Sequence, residues 1–247
     1  MARFMRIVGV AGVLLTSIAA AHAVQFSVPR VLLPADIGLQ LGPAANRKLT
    51  VGLQAASWDI PGVDFGQGRT VQFQTQIRPL ATVEYQINPR WAIGGWYNAF
   101  ATDVEYQVNG TPLATDQADG YMMEAHGTYT LGDGFALQLG WQSQRVEWTL
   151  TSSASGSTSA QESRLSGATC WLFKHFGLGS VAKKRMDLLL GLGGSNNESG
   201  PLGAHQFAGV SCSLSPAVTA DASLWLWNIG SRDTFAARAT AGFSGRF

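Results

Sequence analysis

From Arg47 onward, apolar and polar residues alternate with a period of two almost without a break. Leu49, Val51, Leu53 and Ala55 interleave with Thr50, Gly52, Gln54 and Ala56. Successive side chains of a strand point to opposite faces, so this rhythm predicts strands that separate two environments. The longest run, Val71–Ile87, has 17 residues, against ~5–6 for an ordinary globular strand. It would place Val71, Phe73, Thr75, Ile77, Pro79, Ala81, Val83, Tyr85 and Ile87 on one face. Gln72, Gln74, Gln76, Arg78, Leu80, Thr82, Glu84 and Gln86 would take the other. Pro79 cannot donate to a ladder and is expected to mark a bulge or kink.

Trp91, Ile93, Gly95, Tyr97 and Ala99 resume the pattern after a tight turn at Asn88–Arg90. Further strands are expected at 121–130, 135–149, 163–174, 186–194, 206–214, 218–228 and 235–247, ten in all, with eight or twelve as alternatives. Short connections at 88–90, 132–134 and 215–217, with a longer one at 176–185, alternate with polar segments at 58–70, 106–120, 150–162, 195–205 and 229–234. Short turns at one end and long loops at the other fit an all-β, antiparallel up-and-down transmembrane barrel. An even strand count returns both ends of the wall to the short-turn side. Thr151–Ala160 is a low-complexity Ser/Thr tract, expected to be a surface loop.

Phe235, Ala237, Ala239, Ala241, Phe243, Gly245 and Phe247 form one face of the last strand; Ala236, Arg238, Thr240, Gly242, Ser244 and Arg246 form the other. This ending, with Thr240, Gly242 and the terminal Phe247, resembles the closing strand and assembly signal of Gram-negative outer-membrane β-barrels. Gly245 departs from the pattern, which usually has a hydrophobic residue there. The resemblance implies a barrel in outer-membrane lipid, delivered by the barrel-assembly machinery acting on this strand. It identifies no subfamily.

Arg3 and Arg6 precede an apolar stretch from Ile7 to Ala21 and a small-x-small site, Ala21-His22-Ala23. That is the layout of a cleaved secretory signal peptide over residues 1–23. Residues 24–46 hold Pro29, Pro34 and Pro43 without a sustained period, and are expected to be an extension in the periplasm or the lumen. The barrel would then be residues 47–247. Loss of Arg3 and Arg6 would leave 15 basic residues against 16 acidic ones. No basic footprint for nucleic acid remains. Charged residues are 13% of the chain, about half the ~25% of soluble domains. A lipid-wetted wall needs few charges. Tyr85, Trp91, Tyr129, Phe135, Phe173, Phe243 and Phe247 gather near the short turns, as an interfacial girdle would.

With the apolar face turned outward, the lumen-lining set includes Arg78, Glu84, Trp96, Glu124, His126, Arg164, Asp187, Asp221, Arg238 and Arg246, joined by Asn98, Gln138, Gln142, Trp225 and Trp227. Four cations against four anions predict compensated pairs rather than a one-sign selectivity field. Ten strands enclose little space, and the large indoles narrow it further. The expected lumen is largely plugged, with a narrow porin-like path as the sharper alternative.

Glu124, His126 and Thr128 share one inward face, the nearest approach to a catalytic triad. Residues two apart on a strand lie ~6.5–7 Å apart, so a structural histidine is the expected role. Cys170, expected inward, and Cys212, on the lipid face, lie on strands separated by another strand, which predicts two free, buried thiols. No ligand spacing for a metal and no cofactor motif is present, and catalysis is not expected. The functional expectation is an integral outer-membrane protein of structural, surface or narrow-channel type. A lipid- or peptide-hydrolysing barrel and a loop-borne adhesion protein are the alternatives.

Overall fold

A computed structural model describes residues 48–59, 63–66, 68–152, 158–181, 184–197, 203–215, 217–228 and 235–247. The expected signal peptide, the extension at 24–46 and most of the Ser/Thr tract lie outside them. Twelve strands follow in chain order: β1 (Leu49–Asp59), β2 (Val63–Gly66), β3 (Arg69–Thr75), β4 (Arg78–Gln86), β5 (Trp91–Val108), β6 (Thr111–Gly132), β7 (Phe135–Ser152), β8 (Thr158–Val181), β9 (Lys184–Asn197), β10 (Gly203–Ser213), β11 (Val218–Asn228) and β12 (Phe235–Arg246). They form one antiparallel sheet whose ladder closes on itself. β2 pairs with β3 beyond the end of the β1–β4 ladder, so each of these pairs of segments is one interrupted wall strand. The wall is therefore a closed barrel of ten antiparallel strands.

The closing seam joins β1 to β12 in register from Thr50↔Arg246 to Asp59↔Ala237. Leu49 and Phe247 exchange backbone bonds at its foot, 3.2 and 2.8 Å long. Closure leaves no sheet edge in this part of the wall, which is what a hydrocarbon surround requires.

The interruption between β3 and β4 is a bulge. Five steps from Thr75 to Leu80 oppose only four steps from Thr102 to Asn98 on β5. The extra residue reverses the inside–outside phase. Val71 is buried on β3, whereas Ala81 and Val83 are exposed on β4. The single uninterrupted face expected for Val71–Ile87 is thus corrected, and the expected irregularity lies just before Pro79.

A second correction concerns the loops at 106–120 and 150–162. β5 and β6 continue to a two-residue turn at Asn109–Gly110, both with positive φ (52° and 77°). These are the backbone angles that Asn-Gly supplies in a hairpin matched to strand twist. β7 and β8 likewise stay paired out to Thr151↔Thr158. Strands β5–β8, of 18, 22, 18 and 24 residues, rise as a hood above β9–β12, of 14, 11, 11 and 12 residues.

Outward positions form an apolar band. At the short-turn end Trp91 packs on Tyr129, with ring centroids 4.7 Å apart. Towards the hood Tyr97 stacks on Tyr121 at 5.6 Å. The eight residue steps from Tyr129 to Tyr121 run ~26 Å along the strand, or roughly 20 Å along the axis of a barrel tilted by ~40°. Between these levels the outward residues of the described strands carry no charge: Val51 and Leu53, Val83, Ile93, Met123, Leu139, Leu172, Leu190, Leu224 and Ala241 are typical. Of the residues expected in the girdle, Phe173 is corrected: it is buried inside the barrel on Trp171 and Phe207.

Leu139 lies in the middle of this band and is 56% exposed. A Leu139→Arg substitution is expected to cost about 2–4 kcal/mol in bilayers, and Thr115→Arg on the hood nearly nothing, as a depth-dependent lipid contact requires. Urea titration of protein folded into phosphatidylcholine vesicles checks both.

A packed interior and a charged hood as candidate functional site

Inward side chains meet across the barrel. Leu80, Trp96, Trp171, Phe173, Leu189, Phe207 and Trp225 belong to one buried cluster. Glycines on β9 make room for two of the rings. A Cβ on Gly191 would fall 2.4 Å from the Phe173 ring, and one on Gly193 2.5 Å from Trp171. Each glycine is the cross-strand partner of the aromatic residue that covers it.

Arg238 sits within this apolar mass and is wholly inaccessible. Its guanidinium carbon lies 4.3 Å from the Trp225 ring, 4.9 Å from Trp96 and 5.4 Å from Trp58. Nη1 donates to Asn98 Oδ1 at 3.5 Å, and Trp58 Nε1 donates to the same oxygen at 3.1 Å. Nε and Nη2 have no acceptor among the described residues. Indole faces stand where carboxylates usually would, and a desolvated cation–π contact contributes about 2 kcal/mol.

Beside it lies a buried acid–histidine cluster. His126 Nδ1 faces Glu124 Oε1 at 3.1 Å, and Nε2 faces Glu84 Oε2 at 3.3 Å. Gln138 Nε2 donates to Glu124 at 2.7 Å. With both ring nitrogens opposed by carboxylates, the imidazolium form satisfies the cluster. Glu124 and His126 do reach one another although they are two apart on one strand: side-chain length closes the gap left by backbone spacing. Both imidazole nitrogens are thereby occupied, and Thr128 Oγ1 has no hydrogen-bond partner. No hydroxyl-activating relay forms among these three residues.

Two further histidines are buried. His175 Nε2 meets Asp187 Oδ1 at 2.9 Å, and Arg185 Nη2 donates to the same oxygen at 2.9 Å. His205 Nε2 lies 2.9 Å from Ser195 Oγ, while Trp225 Nε1 donates to His205 Nδ1 at 3.1 Å. The serine–histidine pair has the wrong tautomer for a nucleophile. An indole donor on Nδ1 leaves the imidazole proton on Nε2, facing the hydroxyl it would have to deprotonate. Sequence spacing did not mark this pair, because β9 and β10 join its members through a hairpin register.

Of the expected lumen set, Glu84, Trp96, Glu124, His126, Asp187, Asp221, Arg238 and Arg246 are buried inward, as are Asn98, Gln138, Gln142 and Trp225. Asp221 accepts from Ser244 at 3.0 Å. Thr240 is buried, Gly242 lies close against Gln54 of β1, and Phe247 is 70% exposed. The Trp227 side chain is outside the described residues.

Two members are corrected. Arg78 sits beside the bulge, half exposed, and reaches out to Asp119 at 3.8 Å. Arg164 is on the outer face, because β8 buries its odd-numbered residues Thr169, Trp171 and Phe173. Cys170, expected inward, is exposed for the same reason; both thiols are free, with Cys212 partly exposed rather than buried. His126 and Arg185 are the groups that pair with buried carboxylates in the interior.

On the hood's outer face Arg145, Glu147, Glu162 and Arg164 form a compact ion cluster. Arg145 Nη2 lies 2.6 Å from Glu147, and Arg145 Nε lies 3.0 Å from Glu162, which Arg164 also bonds. Hydrogen bonding from Arg164, assisted by Arg145, holds the Glu162 carboxyl below the ordinary carboxylate range.

No family model matches the chain, and no curated protein does. Among solved structures it is similar to the transport unit of the autotransporter AIDA-I from Escherichia coli, at 9% identity, covering 87% of this chain and 95% of that one, with a TM-score of 0.50. It is also similar to the attachment invasion locus protein Ail of Yersinia pestis (14% identity, 81% and 97% coverage, TM-score 0.39) and to the outer membrane protein OprG from Pseudomonas aeruginosa (11%, 81% and 96%, 0.40). The two lower scores carry no weight. The first agrees with the closed ladder: the chain has the fold of an outer-membrane β-barrel.

Two outcomes follow. Arg238→Ala empties the indole cage and removes its cation–π contacts; a loss of about 2–5 kcal/mol is expected in chemical denaturation. The folded pKa of Glu162 is depressed, so its contribution to the hood is present above the ordinary carboxylate range and lost as pH falls through the lowered value. Amide exchange at the β7–β8 tip should therefore quicken, relative to intrinsic rates, at pH 3 compared with pH 6, and a Glu162→Gln variant should show less of that change.

Proposed function

We propose that this protein is an integral outer-membrane barrel of a Gram-negative cell, non-conducting, non-enzymatic, and working through its outward surfaces. The observation that carries this reading is the packed aromatic cluster inside the barrel: a wholly buried Arg238 among three tryptophans. A path for solute would have to pass between rings in contact, Trp96–Trp225 at 5.8 Å and Trp171–Trp225 at 5.5 Å. Ten strands provide little room around such a plug. Polar residues inside serve the packing. The charged, raised hood of β5–β8 is the part that meets other molecules, since surface elements on a rigid scaffold are where binding groups are placed. The closing strand β12 is the segment proposed to engage the assembly machinery, and outer-membrane lipid is the surround.

Planar-bilayer recording tests the plug. The purified protein should give no stable conductance steps, whereas a Trp96→Ala/Trp225→Ala variant should open discrete ones. Steady conductance from the unaltered protein would reject the reading.

A further inference from the structure

The outer wall is not smooth. Across β4, β5, β6 and β7, a concavity of about 570 Å³ is sunk into the apolar band. Gly95 and Ala125 form its floor, and Val83, Tyr97, Met123 and Trp141 rise around it. The registers explain the shape. Val83, Gly95, Ala125 and Trp141 form one cross-strand row, and Tyr97 and Met123 stand in the next. Two small residues are thus placed side by side between large ones. Gly95 is held to that size, because a Cβ would come 2.5 Å from the Glu124 carbonyl oxygen. The volume lies within the ~300–1,000 Å³ of small-molecule sites.

The charge at the two ends of the wall differs. Hoodward of the band, Asp103, Asp119, Glu147 and Glu162 outnumber Arg78, Arg145 and Arg164. At the short-turn rim, Lys48, Arg90, Lys174 and Lys184 face only Asp133 among the exposed or partly exposed acids described. Arg90 stands at the foot of β5, beneath the groove, with Nη1 3.4 Å from Tyr129 Oη. Lys48 precedes β1, whose Val51 borders the same concavity. From Gly95 down to Trp91 is four residues, ~13 Å along the strand.

We propose that this groove holds one acyl chain of an anionic phospholipid from the leaflet at the short-turn end, with its phosphate on Arg90 and Lys48. This rests on the wall facing lipid, as argued above. Charge complementarity selects the lipid: a phosphate is attracted to the cationic rim, whereas the arginines of the hood are already paired with its acids, which favours an anionic headgroup at the short-turn end. A flexible chain suits a channel whose lining is almost wholly apolar, and it recovers dispersion contacts that a void forfeits.

Native mass spectrometry of the full protein, released from nanodiscs of phosphatidylethanolamine and phosphatidylglycerol, tests the site. The unaltered protein should retain one phosphatidylglycerol in preference to phosphatidylethanolamine. Ala125→Trp, which fills the groove from an exposed position, should reduce retention about tenfold. Arg90→Glu should abolish the preference for the anionic lipid while leaving some chain binding. Heat-modifiable migration of each variant, unchanged, shows that the barrel itself is intact, so loss of lipid is separable from loss of the membrane fold. Equal retention by Ala125→Trp, preference for an added lipopolysaccharide, or a groove occupied by a second copy of the chain would each overturn the proposal.

Discussion

Everything in this molecule depends on a backbone constraint: in hydrocarbon, each peptide N–H and C=O of the wall must find its partner in a neighbouring strand. The β1–β12 seam meets that demand, and it fixes the rest. A ring of ten strands closed in a fixed register has one radius, hence one volume to fill. Because the outer surface is given to lipid, only the inner face is left to hold the polar residues. Those polar residues must then satisfy each other in a space with little water. Glu84, Glu124 and His126 form a bridged acid–base group, whereas Arg238 is set against indole rings, with Nε and Nη2 lacking an acceptor among the described residues. The buried carboxylates Glu84, Glu124 and Asp187 each face a histidine or an arginine.

The aromatic plug and the glycines of β9 are two sides of one packing solution. Removing side chains at Gly191 and Gly193 creates the hollows into which Phe173 and Trp171 settle. The same logic appears outside, where Gly95 and Ala125 leave a hollow that nothing in the protein fills. Inside, the protein supplies the filler. Outside, the membrane is left to supply it. The hood is a different region again, charged on its outer face and raised by the long β5–β8 hairpins.

The wall was legible in the sequence because lipid enforces a strict period of two. Nine of the ten expected strands overlap one continuous strand each, apart from their ends, and the tenth is the bulged β3–β4. Phase was less legible. A one-residue bulge at Gln76–Ile77 reverses the faces of Val71–Ile87, and pattern alone reports the irregularity at Pro79 without its consequence. On β8 both faces are apolar: Trp171 and Phe173 belong to the plug, Ala168 and Leu172 to the lipid side. Hydrophobicity cannot separate a greasy interior from a greasy exterior, so Arg164, Cys170 and Phe173 were all expected on the wrong side. The Asn109–Gly110 turn was readable but hidden by polar flanks that suggested a loop. The Ser195–His205 pair and the Arg238 cage depend on which strands meet across the barrel, which no local pattern records.

The most direct test of the central claim, that hydrocarbon wets the outward face of a closed ring, uses the chain's own Cys170. A nitroxide attached there, with Cys212 replaced by Ala and the protein in phospholipid vesicles, reports its surroundings through collisions with molecular oxygen and with a water-soluble nickel chelate. The account predicts strong relaxation by oxygen and almost none by the chelate. A label relaxed chiefly by the chelate would place water on that face and contradict it.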